Sequence, residues 1–191
     1  MEYIEFNNGI KMPLLGFGTY RIAPYATQQA VSKAIKIGYQ SIDTAQLYGN
    51  EAGVGKAINE SSYSRDHFFI TSKVKTSGYR ATRQSIDLSL QRAGLDYFDL
   101  MLIHWPMGKD LDTYRALEEA YQAGKLRSIG VSNFNHQQIN ELLANFATTP
   151  VVDQIETSVY LQQQKMHRYL EEHYIIHESW SPLRRRFTNY V

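Results

Sequence analysis

Cysteine is absent from the 191 residues. That excludes disulfides, thiolate metal centres and a cysteine nucleophile. An excess of either charge is missing too: 20 Lys and Arg face 19 Asp and Glu, for a net charge of +1 at pH 7. Such a balance marks neither a nucleic-acid surface nor one for anionic membranes. No apolar run approaches the roughly 18 residues of a membrane span. The opening MEYIEFNNGIKMP has no apolar core of signal-peptide length. Nothing addresses the chain elsewhere, so a cytoplasmic location is the expectation. His67, His136, His167, His173 and His177 show no HxH or HExxH spacing, which argues against a metal site and a metal-dependent hydrolase. Linker-like and low-complexity stretches are lacking as well. A single domain over residues 1–191 is therefore expected, long enough to bury about 70% of its unfolded surface.

What the chain does contain is a repeated strand-then-helix pattern. Short apolar runs occur at 14–19, 40–44, 67–74, 97–105, 127–133, 151–156 and 174–179. Several are apolar at consecutive positions, as in strands buried on both faces of a parallel sheet. Helical periodicity fills five intervals: 27–38, 82–93, 111–123, 135–146 and 163–173. Gly38 stands where a C-terminal cap belongs and Asn135 is a good N-cap. Such alternation makes either an open doubly wound sheet or a (β/α) barrel, and the strand ends Thr19, Asp43, Lys73, His104, Ser132, Gln154 and Trp180 recur about every 27 residues. An eight-unit barrel at that pace would complete its last strand near roughly residue 207. The fold expected is thus an α/β (β/α)8-type TIM barrel, incomplete, with about seven βα units.

The strand interiors are apolar, but their C-terminal ends carry Asp43, Lys73, His104, Asn133 and Gln154. Each alone has a structural reading, as a helix cap, a snorkelling lysine or a core histidine. Together, on the face where barrels place their chemistry, they read as one site. GFGTYR is not a dinucleotide fingerprint, because Arg21 stands where the third glycine would be.

The chain resembles the aldo-keto reductase family, on GFGTY (16–20), IDTAQLYGNE (42–51), ITSKV (70–74), LIHWP (102–106), GVSNF (130–134), DQIE (153–156) and SWSPL (179–183). Its shorter bacterial members, to which it is most similar, reduce dicarbonyls or keto sugars. The resemblance implies an N-terminal hairpin over YIEFNNGIKMP, turning at Asn7, Asn8 and Gly9. It implies NADPH-dependent reduction of aldehydes or ketones to alcohols, with a catalytic set of Asp43, Tyr48, Lys73 and His104. Tyr48 would be the general acid, with Lys73 depressing its pKa, Asp43 pairing with Lys73, and His104 orienting the carbonyl. NADP would be held by Gly18, Thr19, Asp43, Ser132, Asn133, Gln154, Trp180, Ser181 and Leu183. Tyr20, Tyr48, His104 and Trp105 would line the substrate pocket.

After SWSPL the chain departs from the family. It reads RRRFTNYV where the resemblance leads one to expect a further helix, an eighth strand and the grip on the adenosine 2′-phosphate. Arg184, Arg185 and Arg186 read as a solvated tail rather than a phosphate site. The expected consequences are unpaired strand edges, self-association through them, and weak cofactor binding. The competing reading is a truncated, catalytically weak protein that serves as a binding or assembly subunit. A third is that this chain is one piece of a longer product.

Overall fold

The computed structural model describes residues 1–183; the run Arg184, Arg185 and Arg186 lies outside them. A hairpin comes first, β1 Tyr3–Glu5 and β2 Lys11–Pro13. Seven strands then alternate with six helices: β3 Gly16–Gly18, α1 Pro24–Ile37, β4 Ser41–Asp43, α2 Glu51–Asn59, β5 Phe69–Val74, α3 Tyr79–Ala93, β6 Leu100–Ile103, α4 Asp110–Gln122, β7 Ile129–Ser132, α5 His136–Asn145, β8 Val152–Glu156, α6 Gln164–Glu172 and β9 Ile176–Trp180. The sheet order follows the chain from β3 to β9, and every pairing is parallel.

One hydrogen bond settles that the sheet is curled. Gln154 Nε2 on β8 donates to Asp43 Oδ2 on β4 at 2.9 Å. In a flat sheet, strands four places apart would lie about 19 Å from each other. The architecture is therefore an arc of a βα barrel rather than an open doubly wound sheet. Among the described residues β3 and β9 are its two edges, and Leu14 and Leu15 are exposed beside β3.

Strand parity divides the core in two. Outward-facing Ile42, Ile70, Val74, Met101, Ile103, Ile129 and Val131 pack with helix residues such as Val31, Val54, Ile86, Leu117 and Ile139. Inward-facing Phe69, Leu100, Leu102 and Val152 form a second cluster with Phe6 and Met12 of the hairpin. The hairpin thus plugs the end of the arc opposite the strand C-termini. Its turn is stitched there by Asn7 Nδ2 to the carbonyls of Pro150 and Tyr174, and by Asn8 Nδ2 to that of Arg127.

Helix boundaries follow local chemistry. Pro24 at the first turn starts α1 three residues earlier than periodicity indicates, and Gly38 ends it at φ 108°. Asn135 accepts from the Gln138 N–H and Gln138 answers, a full capping box on α5. The helix α2 escaped the periodicity reading because EAGVGKAIN carries two glycines. Packing explains them. A Cβ on Gly53 would sit 2.8 Å from Thr27 Cβ, and one on Gly55 would sit 1.6 Å from the Ala93 carbonyl oxygen.

Candidate active site

Following each strand inward two residues at a time leads from the apolar plug to a polar rim. Phe69 is followed by Thr71 and Lys73, Leu100 by Leu102 and then His104, and Val152 by Gln154. The register sets Gly18 beside Asp43 and Asp43 beside Thr71. It sets Ser132 beside Gln154, and Gln154 beside Glu178. These ends open on a cavity of about 690 Å³. Asp43, Tyr48, His104, Trp105, Gln154 and Trp180 are among its walls.

Lys73 is 1% exposed. Its Nζ is bonded to Asp43 Oδ1 and donates to the Thr44 carbonyl at 3.2 Å. It lies 5.4 Å from the centre of the Tyr48 ring. Burial pulls its pKa down, but Asp43 and then Tyr48 outweigh burial, and the net shift is upward. The ammonium form is held. Asp43 takes its second hydrogen bond from Gln154, so its carboxylate is fixed from two strands.

Tyr48 sits on a short 3₁₀ turn, Gln46–Tyr48, closed by Gly49 at φ 67°. Its ring packs 5.1 Å from that of Tyr20 and 5.6 Å from that of His104. The expected depression of its pKa is not what this environment gives. Lys73 does pull it down, but burial is the larger effect and the phenol lies above its ordinary value. Sequence shows the cation and not the depth at which the phenol is buried. His104 is driven down to about 3, by burial first and then by Lys73. It is a neutral imidazole at physiological pH, and its Nδ1 is buried without a hydrogen-bond partner.

A second polar chain runs beside this one. Trp180 Nε1 donates to Asn133 Oδ1 at 3.0 Å, and Asn133 Nδ2 donates to the His104 carbonyl and to Ser132 Oγ. Ser132 Oγ donates to the Gln154 carbonyl. Asn133 holds a left-handed φ of 61°. Gly18, Tyr20, Ser132, Trp105 and Ser181 also line the cavity.

Two expected contacts lie elsewhere. Thr19 is fully buried, its Oγ1 on the Asp43 carbonyl and beside Asn50. Its hydroxyl therefore ties two loops together and does not face the cavity. Leu183 is 96% exposed, on the segment beyond the rim. Among the described residues no group of three His, Cys, Asp or Glu could hold a metal ion, and no helix is long and apolar enough to cross a membrane.

Sequence reasoning passed over three supporting residues. Asn50 is buried and bonds Thr44, Thr19 and Ile22, locking the Tyr48 turn to the loop after β3. Glu51 accepts from Ser72 and Ser89 beneath β5. Asp153 lies under the Asn133 turn, accepting from the Phe134 N–H at 3.5 Å, with Oδ2 unpartnered. The signal for Asn50 and Glu51 was their place next to Tyr48 in IDTAQLYGNE; for Asp153 it was an acid inside an apolar strand.

Burial pushes Asp153 up to about 7, against the pull of two backbone N–H groups. Its folded pKa exceeds its unfolded one, so its contribution is favourable at low pH and is lost as pH rises through 7. Asp153→Asn, neutral throughout, should gain stability over the wild type by about 2–3 kcal/mol between pH 5 and pH 8. Urea unfolding at the two pH values measures this; a pH-independent difference would contradict it.

Comparison with known proteins identifies the family. Residues 14–189 match the model of the Aldo/keto reductase family. Glyoxal reductase of Bacillus subtilis is 45% identical over 187 residues, covering 95% of this chain and 67% of that protein. Methylglyoxal reductase DkgA of Yersinia pestis is 42% identical over 183 residues, covering 94% and 66%. The crystal structure of an aldo/keto reductase from Brucella melitensis superimposes with a TM-score of 0.94 at 40% identity, over 98% of this chain and 75% of that one. The chain spans about two thirds of the length of the curated relatives it matches. With the arc of parallel strands and the rim they present, this makes the chain a member of the aldo/keto reductase family.

Proposed function

We propose that the chain reduces the carbonyl group of small aldehydes and ketones, 1,2-dicarbonyls foremost, with NADPH as the reductant and Tyr48 as the general acid. The observation that carries this is that Asp43 and Tyr48, at and just after the end of β4, and His104, just after β6, wall one cavity, with Lys73 of β5 buried behind them against Asp43 and the Tyr48 ring. The names of the two bacterial relatives, a glyoxal and a methylglyoxal reductase, support the substrate class.

The cavity suits the nicotinamide end of such a cofactor. Trp180 offers a flat aromatic wall, Gly18 presents bare backbone with open space beside it, and Asn133 and Gln154 supply amide groups. Ser132, Asn133, Gln154, Trp180 and Ser181 would hold that end. Bound there, a reduced nicotinamide supplies a hydride to carbon. The described residues lining the cavity include no lysine or arginine.

Tyr48 gives the proton to the carbonyl oxygen as the alkoxide develops. A phenol above its ordinary pKa stays protonated, and so neutral, until it releases its proton. Lys73, kept as an ammonium by Asp43, then stabilises the tyrosinate left behind. His104, being neutral, donates a hydrogen bond from one ring nitrogen and orients the carbonyl without adding charge. Tyr20 and Trp105 confine the substrate against Tyr48.

Both tryptophans of the chain, Trp105 and Trp180, border the cavity. NADPH should therefore quench the intrinsic fluorescence, and Trp180→Phe should remove most of that quenching. Silence in this titration counts against the enzyme reading and favours an assembly subunit, for which the exposed Leu14 and Leu15 are the observation. Reduction of methylglyoxal with consumption of NADPH is the direct assay.

A further inference from the structure

The mechanism above leaves one carboxyl of the site unused. Glu178 follows Ser132 and Gln154 in the same inward row and lines the cavity. Its Oε2 is buried with no hydrogen-bond partner. A lone buried carboxylate oxygen is costly, and the cost is relieved when the group carries a proton.

Its charged surroundings come from two strands. Asp43 approaches from β4 and Lys73 from β5, while β8 brings only the Gln154 amide. Tyr48 and His104 lie beyond Lys73. The remaining titratable groups face away: His177 bonds Thr157 and His167 on the outer side towards α6, and Asp153 bonds Phe134. The strand β3, Gly16–Gly18, contributes no charged side chain. Burial, and then Asp43, push the Glu178 carboxyl up to about 7, against the pull of Lys73 and Gln154.

Two carboxyls thus compete for one ammonium. We propose that Glu178 is a positioning residue for carbonyl reduction that acts through Lys73. As a neutral acid it leaves the ammonium to Asp43 and to the Tyr48 phenol. As a carboxylate it draws on the same ammonium and weakens the support for the tyrosinate. The inference rests on the reductase reading for its effect on rate, and on the cavity geometry alone for the link between Glu178, Lys73 and Tyr48.

The experiment compares the wild type with the near-isosteric Glu178→Gln. Methylglyoxal reduction by the wild type should fall about three- to tenfold between pH 6 and pH 8, an effect of one nearby charge on the proton-transfer step. In Glu178→Gln that fall should vanish while a later alkaline fall, from Tyr48, remains. In parallel, ¹³C NMR of the cofactor-free chain follows the Glu178 carboxyl and the Tyr48 Cζ, assigned with Glu178→Gln and Tyr48→Phe. The Glu178 signal should titrate near neutrality, and Tyr48 should ionise at lower pH in Glu178→Gln than in the wild type. The proposal is overturned if Glu178 titrates as an ordinary exposed glutamate, if Tyr48 ionises identically in both proteins, or if Glu178→Gln keeps the neutral-pH fall. Absence of any carbonyl reduction counts against the reductase reading, and the two resonances then decide the role of Glu178 by themselves.

Discussion

Tyr48→Phe should lower kcat for carbonyl reduction by about 10²–10⁴-fold, the usual worth of a positioned general acid. Removing one hydroxyl leaves the ring packing against Tyr20 and His104 intact. The Lys73–Asp43 pair also remains, since it is held by Thr44 and Gln154. The loss should therefore fall on kcat, with cofactor affinity and thermal stability little changed. Neither His104 nor Lys73 is placed to substitute. His104 is driven down to about 3 and carries no spare proton at neutral pH. Lys73 is buried behind Asp43 and pushed up in pKa, so it gives up its proton reluctantly. Steady-state kinetics with methylglyoxal measure the effect. Retention of more than about a tenth of wild-type kcat would remove Tyr48 from the role of acid.

The second large effect is structural. Gly55→Ala should destabilise the chain by about 3 kcal/mol or more, at the upper end of overpacking costs. The added methyl would lie 1.6 Å from the Ala93 carbonyl oxygen and 2.5 Å from its carbon. The obstacle is backbone at the end of α3, which no rotamer change can clear. Alanine's better helix propensity returns only about 1 kcal/mol. For a chain of this size the net loss corresponds to a fall in Tm of about 6–12 °C. Relief would require α2 to move away from α3. Glu51 at the start of α2 would move with it, off Ser72 and Ser89. The adjoining Tyr48 turn, bound through Asn50, would then lose its registration with Lys73. Thermal unfolding compared with Gly18→Ala, where the added methyl meets open space and the backbone is not left-handed, isolates the clash from the ordinary cost of filling a glycine. Equal stability of the two variants would contradict the packing described.

Much of this was legible from residue order. Buried parallel strands announce themselves by unbroken apolar runs: six of the seven strands of the arc fall within those runs, and β9 outlasts its run by one residue, Trp180. The polar residues that end them stand out by contrast, which is why Asp43, Lys73, His104 and Gln154 could be named. The capping of α5 by Asn135 and the stop of α1 at Gly38 are local chemistry and were equally readable. The failures have physical reasons. The helix α2 was hidden because its glycines serve contacts with α1 and α3, which a local pattern cannot display. Glu178 is hidden in the sequence because the residue that ends its strand is Trp180; Glu178 stands two residues back on the same inward face. The direction of the Tyr48 shift depends on burial against burial-independent charge, a balance set by the packing of Tyr20 and His104 around the ring. Thr19 stands in a motif beside the site, yet its side chain turns to Asn50.

The most direct measurement follows the hydride itself. The chain is incubated with NADPH deuterated at the transferable C4 position and with methylglyoxal, and the product alcohol is analysed for deuterium. The convergence of Tyr48, Lys73, Asp43 and His104 predicts deuterium on the newly formed carbinol carbon, accumulating far more slowly with Tyr48→Phe. Product without deuterium, or equal accumulation in the two proteins, would contradict it.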